Sequence, residues 1–204
     1  TAFALCVIWL SSAMPVYLIE GTSSPSWLVA PVLAATTAVQ AIGQARVTRM
    51  VRFLSRVRAL VLAGCLWTIW AFGLACAPSI PQEWLVPFVL LVTALYAAAE
   101  LIHAPISQAL ASAAAPPELR GRYLAAFQYS FLLASICAPG LFGTLFEIRP
   151  QLAWIILGLI TAVSTIGVAG LETRLPPRAV RGQGRGADTV EATASDSAQT
   201  LHRE

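Results

Sequence analysis

The chain has 204 residues, of which 57% are hydrophobic and 11% charged, with a mean hydropathy of +0.72; a soluble domain of this size needs more charge to cover its surface. The charges are also segregated, long uncharged stretches alternating with short segments that hold several Arg residues, which is the distribution a bilayer imposes. The net charge of +3 is spread among Arg residues flanking apolar runs, where orientation and anionic lipid account for it and no nucleic-acid surface is needed.

Six segments meet or approach the roughly 20 apolar residues that a helix needs to cross about 30 Å of hydrocarbon. They fall at 1–19, 28–45, 58–77, 85–111, 123–145 and 152–171. Runs of this length lack the period-2 alternation of strands, and an open sheet edge cannot face lipid. The expected fold is therefore all-α, a polytopic membrane protein with a transmembrane bundle over 1–171. The remainder, 172–204, is rich in Pro, Gly, Ser and scattered charge and reads as a disordered cytoplasmic tail. The chain opens at Thr1 inside an apolar run without Met or a basic leader, so it reads as a piece of something longer rather than as a signal peptide.

In chain order, the first span carries Ser11, Ser12, Pro15 and Tyr17, and the second carries Thr36, Gln40 and Gln44 at spacing four. The link to the third span holds Arg46, Arg49, Arg52, Arg56 and Arg58 with no acidic residue, which places it in the cytoplasm. Alternation then puts Glu20, Glu83 and Glu147 outside, and Arg120, Arg122 and the tail inside. All basic residues are Arg, a bias of GC-rich bacterial genomes, so the expected location is a bacterial inner or plasma membrane with the C-terminus cytoplasmic. Trp27, Trp84 and Trp154 open spans at their outer ends and Tyr17 closes one there, as an interfacial belt would. Cys6, Cys65, Cys76 and Cys137 lie in or beside apolar runs without CxxC spacing and read as small packed hydrophobes, not as metal or disulfide ligands.

The fourth span is the most informative. Thr93, Tyr96, Glu100, His103 and Ser107 are spaced 3, 4, 3 and 4 apart and share one helical face. A charged side chain at the centre of a membrane helix costs on the order of 2.5–3.5 kcal/mol, so this face should turn inward. Either Glu100 and His103 satisfy each other structurally, or the stripe lines an aqueous cavity in which Glu100 holds and releases a proton and His103 modulates it. Gln128 and Ser135 give the fifth span a weaker polar face, whereas Thr68 alone marks the third and Thr161, Ser164 and Thr165 the sixth. Spans one, two, four and five thus read as cavity-lining, and three and six as peripheral.

Ala99, Glu100 and Leu101, then Pro105, then the loop from Ala115 to Tyr123 with Pro116, Pro117, Arg120, Gly121 and Arg122, resemble the tenth helix and following loop of the major facilitator superfamily. Ala138, Pro139, Gly140, Leu141, Phe142 and Gly143 are similar to its eleventh helix, and Pro15 to Leu18 to the end of its seventh. The loop at Arg46–Arg58 stands where the family has an Asp-containing, Arg-rich loop, without the Asp. The resemblance is to the C-terminal six-helix half, most closely that of proton-coupled drug-efflux members. It implies a 3+3 inverted repeat, alternating access, an N-terminal six-helix half as partner, and a small organic substrate exported against protons. On this reading Glu100 and His103 serve ion coupling, Gln40, Tyr96, Gln128, Thr36 and Thr93 line the substrate cavity, and Arg46, Arg49, Arg120 and Arg122 belong to gating loops. No cofactor and no metal is implied. An intramembrane enzyme lacks its paired acids and nucleophile motifs here, which leaves an accessory, non-transporting six-helix component as the alternative.

Overall fold

The structure, a computed structural model, describes residues 2–22, 24–51 and 54–170. The tail expected at 172–204 lies outside the described residues, as does Arg52. Helices α1 (Ala2–Ser12), α2 (Met14–Gly21), α3 (Val29–Val51), α4 (Arg56–Cys76), α5 (Gln82–Ala114), α6 (Arg120–Ile148) and α7 (Pro150–Gly170) follow one another through short links. Five are long and apolar enough to cross a membrane, and α1 with α2 makes a sixth span bent by 50°.

The bend has a local cause. Pro15 has no N–H for the carbonyl four residues earlier, and its ring crowds that turn. The Ser11 and Ser12 hydroxyls both turn back onto the Ile8 carbonyl, at 3.1 and 2.8 Å, a pattern that itself favours bending. Beyond the break the last turn widens, the Thr22 N–H reaching back five residues to the Tyr17 carbonyl at 3.1 Å. α4 starts more conventionally, on the Ser55 hydroxyl, which accepts from the Arg58 N–H at 3.2 Å.

Small residues set the packing. A Cβ on Gly64 of α4 would stand 2.1 Å from Thr165 Oγ1 of α7, and one on Gly158 of α7 would stand 3.0 Å from the Phe72 ring of α4, so the two helices notch into each other at two levels. Gly73 likewise admits Val92 of α5. α1 is tied to α6 by the Trp9 indole N–H, which donates to the Ala138 carbonyl at 3.3 Å. The third span, α4, packs between α5 and α7 and carries the fully buried Trp67 and Trp70 on one side, while Leu62 and Ile69 are exposed on the other.

The aromatic belt is also redistributed. Trp27 and Trp84 stand 61% and 64% exposed, as interfacial anchors do. Trp154 and Tyr17 are wholly buried. Trp154 meets Trp9, Trp70 and Tyr17 edge-on, at ring-centroid distances of 5.7, 5.3 and 5.3 Å. The Tyr17 hydroxyl donates to the Leu74 carbonyl at 2.7 Å, so protein supplies the partner that the interface would have offered. Of the cysteines Cys6 is buried, sharing a hydrogen bond with the Thr161 hydroxyl at 3.4 Å, while Cys65, Cys76 and Cys137 stand on exposed faces.

Candidate functional site

The polar stripe of α5 turns inward. Thr93, Tyr96, His103 and Ser107 are buried and Glu100 is half-buried. The hydroxyls at the ends of the stripe are occupied locally: Thr93 donates to the Val89 carbonyl at 2.7 Å, and Ser107 to that of Ala104 at 3.2 Å. Thr36, facing them from α3, donates to the Leu33 carbonyl at 2.6 Å. The protons of these three hydroxyls are thus spent on their own helices.

Glu100 is different. The half-buried Gln40 crosses from α3 and donates its Nε2 to Glu100 Oε2 at 2.5 Å. The Tyr96 side chain, one turn earlier on α5, also interacts with the carboxylate. A carboxylate can only accept, so the Gln40 amide suits its charged form, and charge-assisted bonds are roughly twice as strong as neutral ones. The structure thus brings Gln40, Tyr96 and Glu100 together.

His103 stands apart from that carboxylate. Its ring lies 4.8 Å from the ring of Trp67 on α4 and 5.4 Å from that of Phe3 on α1. The two residues share a helical face, yet each turns to a different neighbour, Glu100 to α3 and His103 to α1 and α4. The connection that remains is aromatic, because Trp67 lies 6.1 Å from Tyr96 and Trp70 lies 4.8 Å from it. This aromatic wall behind the carboxylate is not in the polar pattern. Trp67 and Trp70, three apart on one face of the third span, were the signal that could have located it.

The remaining site residues lie further out. Gln128 is on an exposed face of α6, as is Ser135, whose hydroxyl bonds back to Leu132 at 2.8 Å. Arg46 and Arg49 are exposed near the end of α3, and Arg120 and Arg122 are exposed at the start of α6. Among the described residues no group of three or more His, Cys, Asp or Glu is placed to hold a metal ion. Chemically, the centre is one half-buried carboxylate inside an apolar bundle, bonded by the uncharged amide of Gln40 and backed by aromatic rings.

Comparison with known proteins bears on this arrangement. The family model of the Major Facilitator Superfamily matches residues 1–199. No curated protein and no solved structure matches the chain. The helical bundle, the inward polar stripe and the match over nearly the whole chain agree, and the chain belongs to the Major Facilitator Superfamily, as a multi-pass membrane transporter of small molecules.

Proposed function

We propose that the chain is the C-terminal six-helix half of a proton-coupled exporter in the cell membrane, moving a small, partly apolar organic compound by alternating access. The observation that carries this reading is the half-buried Glu100 carboxylate of α5, bonded across to α3 by Gln40. Ionisable groups inside membrane spans are costly and tend to mark ion or substrate paths.

The disposition of the spans supports the rest. The first packs on the fifth, the second on the fourth and the third on the sixth, the pattern given when two three-helix units exchange about a two-fold axis, as in a 3+3 inverted repeat. Among the five long helices α3 and α6 are the least buried, so they have the most surface free for a second six-helix half. Gln128 on α6 then faces the same cavity as Thr36, Gln40, Thr93 and Tyr96. His103 acts on Glu100 at one remove, through Trp67 and Tyr96. Arg46, Arg49, Arg120 and Arg122 mark the cytoplasmic side and its gating loops, with the C-terminal tail on that side.

Vesicles containing the full-length protein, given an imposed pH gradient and a panel of lipophilic organic dyes, test this. At least one dye should move against its own gradient and stop when a protonophore is added. Dye movement equal to that in empty vesicles, or indifferent to the proton gradient, would remove the reading.

A further inference from the structure

α3 packs chiefly on α5, and two places in its seating stand out. At its start, Val29, Val32 and Leu33 meet Leu10, Met14 and Leu18 around the bend at Pro15. Further along, Gln40 donates to Glu100, and one turn on Gly43 admits the Leu101 side chain, whose Cδ1 would lie 2.7 Å from a Cβ there. Between these Thr36 is buried and Thr37, Ala38, Val39, Ala41 and Ile42 are exposed, and beyond them Val47 packs against the core. Of these two places the second contains a titratable group, the Glu100 carboxylate.

We propose that Gln40 is a positioning residue that ties the charge of Glu100 to the seating of α3: the ionised carboxylate holds α3 against α5 through Gln40, and the neutral acid lets that end of α3 move, with the contacts around Pro15 as its pivot. This rests on the reading of Glu100 as the proton site. The chemistry of the amide suits the task. Facing a carboxylate, Gln40 must present its NH2, and the bond is charge-assisted. When Glu100 gains a proton the carboxyl becomes a donor as well, the amide must turn over or give up the contact, and the bond falls to neutral strength. An Arg or Lys at position 40 would favour the ionised form and oppose the switch, and an apolar residue would hold neither form.

The other groups around the carboxylate leave the switch to the proton. On α5 itself Tyr96 can donate or accept, and His103 is taken up by Phe3 and Trp67. α4 presents Trp67 and Trp70, α1 presents Cys6, engaged with Thr161, and α6 keeps Tyr123, Tyr129 and Cys137 on exposed faces. Arg46, Arg49, Arg120 and Arg122 are exposed near helix ends.

The test uses the full-length protein in lipid, with native cysteines replaced by serine and spin labels at the exposed positions Ile42 on α3 and Ile69 on α4. Lowering the pH should lengthen and broaden the label-to-label distance distribution. Glu100→Gln and Gln40→Leu should each show the broad distribution at every pH. Infrared difference spectra on the same samples should show a pH-dependent carboxyl band that is absent in Glu100→Gln and retained in Gln40→Leu. If no such band appears, Glu100 is not the proton site, and both the functional reading and the switch fall. If the band titrates but the unsubstituted protein keeps one distribution at all pH values, or Gln40→Leu keeps its pH response, the switch alone is overturned.

Discussion

Glu100→Gln is expected to reduce proton-driven transport by the full-length protein about 5- to 150-fold, the span of a coupling free energy of about 1–3 kcal/mol, while the protein still folds and inserts. The substituted amide has nearly the same shape, so the packing of Leu101 against Gly43 is kept, while the bond from Gln40 falls to neutral strength as it does with the protonated acid. What it cannot do is take a proton. The other described carboxylates, Glu20, Glu83, Glu118 and Glu147, are at helix ends or in links and cannot substitute at the middle of the bundle. Comparing uphill with downhill dye movement separates the effects: uphill movement should be lost and downhill movement largely retained. Equal uphill rates in both proteins would show that the coupling proton binds elsewhere.

Gly64→Ala should produce the largest loss of stability from a single methyl group. The added Cβ would lie 2.1 Å from Thr165 Oγ1 and 3.1 Å from two carbons of the same side chain. Thr165 cannot retreat freely, because its hydroxyl is bonded to the Thr161 carbonyl one turn back at 2.8 Å. The helices must separate or Thr165 must leave its rotamer, and overpacking of this kind costs about 1–3 kcal/mol. Thermal unfolding in detergent should show a lowered midpoint, and adding Thr165→Ala should restore much of it by removing the clashing oxygen. Gly158→Ala should cost less, since it meets only the edge of the Phe72 ring at 3.0 Å. A Gly64→Ala midpoint equal to that of the unsubstituted protein would mean that α4 and α7 do not notch as described.

Much of the architecture was legible because a bilayer leaves few alternatives. Long uncharged runs must be helical, and Pro15 within the first of them marks the place where the chain bends. The polar stripe of α5 was legible for the same reason, since hydrogen-bonding side chains spaced by helical turns share a face and avoid lipid. Which neighbour each would meet was not. Glu100 and His103 are one turn apart, yet the crossing of α3 claims one and the rings of Phe3 and Trp67 the other, a matter of interhelical geometry that periodicity does not encode. Trp154 misleads in a related way: a Trp near a helix end suits an interface, and only the positions of Trp9, Trp70 and Tyr17 show that it is enclosed. The buried side of α4 was hidden because lipid and protein interior are about equally apolar, so hydropathy cannot separate a protein-facing side from a lipid-facing one.

The account depends on the polar faces of α3, α5 and α6 fronting one aqueous pocket, and labelling of single cysteines with a charged, membrane-impermeant thiol reagent tests that most directly. In the full-length protein, Gln40→Cys and Gln128→Cys should react readily, and Ile69→Cys and Val163→Cys, on faces given to lipid, should not. Unreactive cysteines at 40 and 128, or equal reaction at all four positions, would contradict it.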